Sequence, residues 1–191
     1  MLMMILPVDQ SNIGEAAAVH SASWQASHRA FCSADFVALH TPKRQEQYIL
    51  QKTSEGSRFF LLKDPLPLAV VSVRDSLIED LYVLPEAQGK GYGTALLRFA
   101  VSRCAGTPTL WILESNERAA ALYRRHGFAE TGRRNTVTQG LDEVEFSMVS
   151  RPAQCEYQQD FYTGIAMLPK DFLSEGRPEE TPNHWASLQN D

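Results

Sequence analysis

The sequence predicts an α/β fold of the α+β type, in which strands and helices are mixed without regular alternation. Short runs rich in Phe, Leu and Val, which are typical of strands, follow one another between residues 57 and 83. Segments with apolar residues near helical spacing lie before and after these runs. The order is one strand, then helices, then a strand meander, which excludes a repeated βαβ architecture.

The N-terminal half contains four predicted strands and three predicted helices. The strands lie at residues 2–8, 57–63, 68–74 and 77–83. Ser11 or Asn12 would cap the first helix, and the second would run from Ser33 or Ala34 to His40. Thr41 and Pro42 form a cap and first-turn pair for the third helix. The third helix is predicted over residues 43–52.

The C-terminal half begins with a cluster of glycines after Pro85. The next helix is predicted over residues 92–104, because its apolar residues share one face. A short strand at 109–113 follows, and Asn116 would cap a helix that ends at Gly127. A last hairpin is expected from residues 128–133 and 143–149, with a polar turn around Gly140.

Residues 1–149 are predicted to form one domain, and residues 150–191 a C-terminal extension. A chain of 191 residues is long enough for one full core. The domain is nearly balanced, with 15 basic and 16 acidic side chains, whereas the extension carries 3 and 7. A strand is predicted within residues 161–168, followed from residue 174 by a loosely ordered acidic tail.

Composition and charge exclude several classes of protein. The apolar fraction of 43% and the charged fraction of 21% are typical of soluble globular proteins. No apolar run approaches the roughly twenty residues that a membrane helix needs. The near-neutral domain argues against nucleic-acid binding, which requires a basic surface. The apolar start lacks a basic leader and a cleavage site, so a cytoplasmic location is expected.

Neither the cysteines nor the histidines predict a metal site. Cys32, Cys104 and Cys155 are widely spaced, which favours reduced structural thiols over a disulfide framework or a metal cluster. The five histidines have no metal-ligand spacing with carboxylate or cysteine pairs.

A glycine-rich turn follows the predicted strand at 77–83. Residues 88–93 read QGKGYG and stand at the mouth of the next helix. Small residues let the backbone approach an anion closely, and a helix N-terminus carries about half a unit of positive charge. A phosphate or pyrophosphate would therefore suit this turn. A tight turn that only reverses the chain is the alternative interpretation.

Two other nucleotide-binding motifs fit this turn poorly. A Walker loop requires Ser or Thr directly after Lys90, where Gly91 stands, and a glycine where Leu84 stands. A dinucleotide fingerprint requires glycine or alanine in place of Thr94, together with a regular βαβ context.

Two segments in order resemble the signatures of the GNAT N-acetyltransferase superfamily. Residues 88–93 match its Q-x-x-G-x-G turn after a strand, and residues 110–128, LWILESNERAAALYRRHGF, resemble its second signature. The N-terminal segment VHSASWQASHRAF is similar to many members that act on small amines. The resemblance spans roughly residues 2–149 and implies the GNAT fold, a mixed and mostly antiparallel central sheet flanked by helices.

The resemblance implies a site for acetyl-CoA as the acyl donor and co-substrate. The turn whose amides would hold the pyrophosphate consists of Gln88, Gly89, Lys90, Gly91, Tyr92, Gly93 and Thr94. The backbone of Leu81, Tyr82 and Val83 would pair with the pantetheine arm and polarise the thioester carbonyl. Asn116 and Ala119 would also contact the arm, although a plain helix cap explains Asn116 equally well.

Tyr123 matches the family's general acid, which protonates the departing thiolate. A phenol has a reference pKa of about 10, above that of a thiol at about 8.5, so it stays protonated at neutral pH and can still donate. From spacing alone, a packed aromatic side chain beside the apolar face of the helix is the alternative.

Glu79 is the candidate base that would take a proton from the acceptor amine. It is an acidic residue in an otherwise apolar strand, where it needs a partner or a purpose. Glu114 is the rival, and strand alternation predicts Asp80 on the opposite sheet face from Glu79. A structural carboxylate, with water as the base, is the alternative. His28 and Trp24 would border the acceptor pocket if they do not simply pack.

Taken together, these features predict an enzyme that transfers an acetyl group from acetyl-CoA to a primary amine of a small molecule or peptide by direct attack, without a metal. The alternative is a non-catalytic acyl-CoA-binding or regulatory module. The acceptor has no local signature in the sequence, and a homodimer is compatible with the resemblance.

Overall fold

The computed structural model describes residues 3–30, 32–138 and 141–149, together with the backbone of three short strands beyond residue 150. The helices in this part of the chain are α1 (Ile13–His28), α2 (Ala34–Ala38), α3 (Pro42–Ser54), α4 (Tyr92–Arg103) and α5 (Glu117–Arg125). The strands are β1 (Met3–Pro7), β2 (Arg58–Lys63), β3 (Pro67–Arg74), β4 (Leu77–Val83), β5 (Thr109–Leu113), β6 (Phe128–Thr138), β7 (Leu141–Met148), β8 (Gln158–Gln159), β9 (Ala166–Leu168) and β10 (His184–Trp185).

One mixed sheet organises these elements, in the order β6-β7-β5-β4-β3-β2-β1-β9-β8. Its neighbouring strands are antiparallel apart from β4 and β5, which run parallel. The ladder between β4 and β5 consists of Leu77 with Thr109 and Ile78 with Leu110, after which the two strands diverge. Farther along, the edge of β4 pairs with the backbone of β10. The predicted mixed and mostly antiparallel sheet is confirmed.

Helices cover both faces of the sheet, so the side chains on both faces of its central strands are buried. On β3, Val71 and Val73 belong to the core that includes residues of α4 and α5, whereas Val70 belongs to the core that includes residues of α1 and α3. A strand covered on both faces needs apolar side chains in both directions. This explains why β3 is a nearly continuous apolar run in the sequence.

A β-bulge in β4 changes the direction of its acidic side chains. The ladder with β3 skips Glu79, which stands as an extra residue between Ile78 and Asp80. Both carboxylates consequently reach α3, where Glu79 contacts Lys52 and Asp80 contacts Tyr48. The expectation that Asp80 lies on the opposite face from Glu79 is wrong, because the bulge interrupts the alternation.

The ammonium group of Lys52 is buried against the carboxylate of Glu79. The Nζ atom lies 3.3 Å from Oε1 of Glu79. Arg74 approaches the same oxygen at 3.0 Å from a partly exposed position, and the Ser57 hydroxyl donates to the other oxygen. Removing one partner of a buried ion pair destabilises a fold strongly, because the other charge stays buried without compensation.

Replacing Lys52 with Met should lower the free energy of unfolding by about 2 kcal/mol. This is below the range of about 3–5 kcal/mol for a fully uncompensated buried charge, because Arg74 remains beside Glu79. Urea unfolding at pH 7 measures the effect. Lys43→Met is the matched control, since Lys43 is exposed in the first turn of the same helix. Equal stability of the two variants would contradict the prediction.

The observed elements agree with the predicted ones and differ mainly at their ends. Strand β6 continues to Thr138, past its predicted end at residue 133, and its pairing with β7 shifts register near Gly132. Asn12 precedes α1, but its side chain accepts a hydrogen bond from the Asp9 amide at 2.9 Å and makes no cap bond to the helix.

Two further expectations lie largely outside the described residues. One is the polar turn around Gly140 in the last hairpin. The other is the loosely ordered tail from residue 174, of which the structure describes only the backbone of β10. Strand β9 falls within the strand that the sequence predicts over residues 161–168.

Candidate active site

The glycine-rich turn lies at the start of α4 and is separated from β4 by a short 3-10 helix at Pro85–Ala87. Gly89 and Gly91 have φ angles of 71° and 86°, in the left-handed region that side chains disfavour. Gly91 is the N-cap residue of α4. Gln88 holds the turn against the end of β4, since its Nε2 donates to the carbonyl of Val83 at 3.2 Å.

This turn has the geometry of an anion site. The first amides of a helix have no partner within the helix, and the helix dipole places positive charge at the same end. A glycine at the N-cap offers no side-chain cap, so these amides remain suited to a phosphate ligand. Lys90 is exposed in the middle of the turn. Thr94 contacts His126 at 3.5 Å, and Tyr92 donates to Asp64 at 3.0 Å.

The end of β4 leads into the turn along the gap that opens between β4 and β5. Leu81, Tyr82 and Val83 form this end of the strand and are buried. On the far side of the gap, Asn116 caps α5, because its Oδ1 accepts from the Ala119 amide at 3.1 Å. The cap that the sequence allowed for Asn116 is thus present. Its contact with a cofactor arm stays a prediction.

Tyr123 lies in α5 and is 0% exposed. Its ring packs edge to face on Phe128, with the centroids 5.7 Å apart, and lies 6.4 Å from Phe146. Burial raises the pKa of Tyr123 well above its usual value, so the phenol stays protonated. The side chain is therefore a packed aromatic whose phenol keeps its proton near neutral pH.

The two carboxylates weighed as bases have different surroundings. Glu79 is buried, and its oxygens contact Lys52, Arg74 and Ser57. Glu114 is exposed at the end of β5 and forms an ion pair with Arg134.

A buried polar cluster next to this strand was not predicted from the sequence. Asp80 accepts hydrogen bonds from Ser72 at 2.6 Å and from Tyr48 at 3.2 Å. The Nε2 of His20 lies 3.3 Å from the same carboxylate. The ring of His20 also meets Tyr82 edge to face, with the centroids 4.7 Å apart. The cluster therefore joins α1 and α3 to the part of β4 that leaves β5.

Trp24 and His28 form part of a stack within the helical layer. The Trp24 ring lies between the rings of His28 and His40, at centroid distances of 3.6 Å and 3.4 Å. Burial lowers the pKa of His28 to about 3, although its hydrogen bond to the Trp24 carbonyl opposes the shift. His28 is thus neutral near pH 7 and is held by packing.

The described residues contain no group of three or more His, Cys, Asp or Glu side chains that could hold a metal ion. In the same part of the chain, no helix is both long and apolar enough to cross a membrane.

Comparison with known proteins points to one family. Residues 55–130 match the family model described as an acetyltransferase (GNAT) domain. No match was found among curated proteins.

Solved structures share the fold over most of this chain. YjaB from Escherichia coli is 22% identical, with a TM-score of 0.58 over 78% of this chain and 99% of that chain. The PaiA N-acetyltransferase from Thermoplasma acidophilum, solved in complex with coenzyme A, is 16% identical, with a TM-score of 0.60 and coverages of 78% and 99%. A Corynebacterium glutamicum structure described as histone acetyltransferase HPA2 and related acetyltransferase is 19% identical, with a TM-score of 0.62 and coverages of 81% and 99%.

The architecture and the turn after β4 thus define the GNAT fold. The family-model match over residues 55–130 and the shared fold confirm the resemblance to the GNAT acetyltransferase superfamily that the sequence shows. These matches support acetyl-CoA-dependent acetylation as the general class of reaction.

Proposed function

We propose that this chain transfers an acetyl group from acetyl-CoA to a primary amine of a small molecule or peptide by direct attack. One observation carries the proposal. Where β4 leaves β5, its edge leads through one short 3-10 helix to a turn with two left-handed glycines at the start of α4. An extended thioester arm can pair with such an edge while its pyrophosphate binds at the helix N-terminus. The coenzyme A complex of PaiA supports the same donor.

The proposed cofactor residues are those of the strand end, the turn and the start of α5: Leu81, Tyr82, Val83, Gln88, Gly89, Lys90, Gly91, Tyr92, Gly93, Thr94, Asn116 and Ala119. The backbone of β10 pairs with Leu81 and Asp80 on the same edge. Binding of the arm along Leu81 therefore requires β10 to leave that position.

In the proposed reaction, the neutral amine attacks the thioester carbonyl and the amide backbone near Val83 stabilises the oxyanion. Tyr123 then donates its proton to the departing thiolate, a role for which its protonated state is suited. Glu79 is the base proposed from the sequence. Its carboxylate is buried and already contacts Lys52, Arg74 and Ser57.

The first test compares acetyl-CoA binding by the native chain and a Gly91→Glu variant in calorimetric titrations. We expect binding by the native chain and its loss in the variant, because the new side chain repels and crowds the pyrophosphate. Gly132→Glu is the matched control, since Gly132 has a similar φ of 83° and open space around it in β6. Strain from the left-handed backbone is then the same in both variants.

Either result for the native chain is informative. Binding that only Gly91→Glu abolishes would support the cofactor site and justify a screen of primary amines. Absence of binding by the native chain would overturn the proposal.

We propose the cytoplasm as the site of the reaction, in keeping with the free thiols of Cys32 and Cys104. A homodimer stays a prediction.

A further inference from the structure

We infer that His20 is the proton acceptor for the attacking amine and that Asp80 holds it in the required tautomer. The inference rests on the proposed acetyl transfer and assigns a role to a residue outside the sequence-predicted site. His20 lies in the middle of α1 and is 2% exposed. Its Nε2 lies 3.3 Å from Oδ1 of Asp80, in the bulged part of β4.

The carboxylate of Asp80 is fixed from two other directions. Ser72 donates to Oδ2 at 2.6 Å, and the Tyr48 hydroxyl donates to the same oxygen at 3.2 Å. An ionised carboxylate only accepts, so the proton of the neutral imidazole resides on Nε2 and the lone pair on Nδ1. A carboxylate placed in this way orients a histidine base and stabilises the imidazolium that forms.

The Nδ1 atom of His20 is the observation that points to a ligand. It is buried, and it has no hydrogen-bond partner among the residues that the structure describes. A buried polar atom without a partner costs free energy, so such atoms in native proteins usually meet water or a ligand. An amine, or one water that bridges to it, would supply the missing hydrogen.

The position of His20 also fits the geometry of acyl transfer. Its ring contacts Tyr82, which lies on the part of β4 that has left β5. Burial and the charge of Asp80 raise the pKa of Tyr82, and Tyr123 makes a smaller contribution. Tyr82 belongs to the core that includes residues of α1 and α3, whereas Tyr123 belongs to the core on the other face of the sheet. Because the attacking nitrogen and the departing sulfur occupy different corners of the tetrahedral intermediate, the reaction needs a base and an acid at separate positions.

The proton balance closes without a further reactant. As the N–C bond forms, the amine proton passes to Nδ1 of His20, directly or through one water. As the C–S bond breaks, the thiolate takes the phenol proton of Tyr123. The imidazolium proton then restores the phenol through solvent, so one amine and one thioester yield one amide and one thiol.

Other groups around His20 also bear on its protonation. The titratable side chains that face it or act on it from the packed elements are Asp80 and Tyr82 of β4, Tyr48 of α3, and more distantly His28 and His40. His28 stays neutral near pH 7, because burial lowers its pKa to about 3.

The test is His20→Gln in the full chain, because the glutamine amide can still donate to Asp80 but has no basic nitrogen. Release of free thiol from acetyl-CoA is measured with spermidine, tyramine and a lysine-containing peptide, and the best of these amines is used. We expect kcat to fall about 10²-fold with coenzyme A affinity unchanged. The wild-type kcat should also fall on acidification, and the variant should lack this fall.

Glu15→Gln is the control, since Glu15 lies in the first turn of α1 and binds Lys63 away from the cluster. It should keep the wild-type rate and pH profile. A His20→Gln variant with wild-type kcat and pH profile would overturn the inference. If that variant does not fold, the inference is tested with the wild type alone. The pH dependence of kcat is then measured with two amines of different basicity, each at a saturating concentration.

An enzyme base predicts that kcat falls in the same pH range for both amines. A fall that follows the basicity of the amine would overturn the inference. A wild-type chain that binds no coenzyme A, or releases no thiol with any amine, would instead overturn the proposed function.

Discussion

Replacing Tyr123 with Phe should lower kcat about 10²-fold or more, the usual contribution of a general acid, while coenzyme A affinity changes little. The hydroxyl is the only group removed, and the ring keeps its contacts with Phe128 and Phe146. Without the phenol, the thiolate has to leave unprotonated or take its proton from water. Thiol-release kinetics measure kcat, and calorimetry measures the affinity.

The same variant separates an acid from a packing residue. A variant of Tyr123 that loses thermal stability and coenzyme A affinity in proportion to its activity would show that packing dominates. A native chain that binds coenzyme A but releases no thiol with any amine would favour the non-catalytic binding module instead.

The glycine turn could be predicted from the sequence because its determinants are local. Gly89 and Gly91 adopt left-handed φ angles within one short segment, between a strand and a helix. Each of these requirements is visible in consecutive residues. The same holds for the cap of α5, where Asn116 bonds an amide three residues away.

The cluster around Asp80 could not be predicted, because it depends on a bulge and on distant contacts. A period of two directs Glu79 and Asp80 to opposite faces, and nothing in the local pattern marks the extra residue in β4. The partner His20 is 60 residues away along the chain. Apolar neighbours in α1 made His20 indistinguishable from a packed histidine.

Glu79 shows an intermediate case. Its place in an apolar strand indicated correctly that the carboxylate needs a partner. Which partner it takes depends on the packing of α3 against the sheet, which brings Lys52 to it, and on the neighbouring strand, which brings Arg74. Neither the packing of α3 nor the neighbour of the strand can be seen in the residue pattern of β4 alone. The role of Glu79 as a base therefore rests on the sequence alone, and our inference from the structure assigns that role to His20 instead.

Replacing Asp80 with Ala should lower the free energy of unfolding by about 4 kcal/mol at pH 7. Ser72, Tyr48 and His20 would each lose a buried acceptor, and each such loss costs about 1–3 kcal/mol. Urea unfolding measures the difference. Asp35→Ala is the control, because Asp35 is an exposed carboxylate in α2. An equal loss of unfolding free energy in Asp80→Ala and Asp35→Ala would contradict the prediction that the buried cluster stabilises the fold.

The loss of unfolding free energy caused by Asp80→Ala should also depend on pH in a defined direction. Burial by itself raises the pKa of Asp80, but hydrogen bonds from His20, Ser72 and Tyr48, with the charge of His20, lower it overall below its usual value of 3.8. A carboxylate with a lowered pKa in the folded state stabilises the fold fully above its unfolded pKa and loses this contribution as the pH falls through the folded value. The difference between wild type and Asp80→Ala should therefore be present from about pH 7 to about pH 5 and shrink below about pH 4. A difference that persists undiminished in acid would mean that Asp80 acts through packing and neutral hydrogen bonds, with little contribution from its charge.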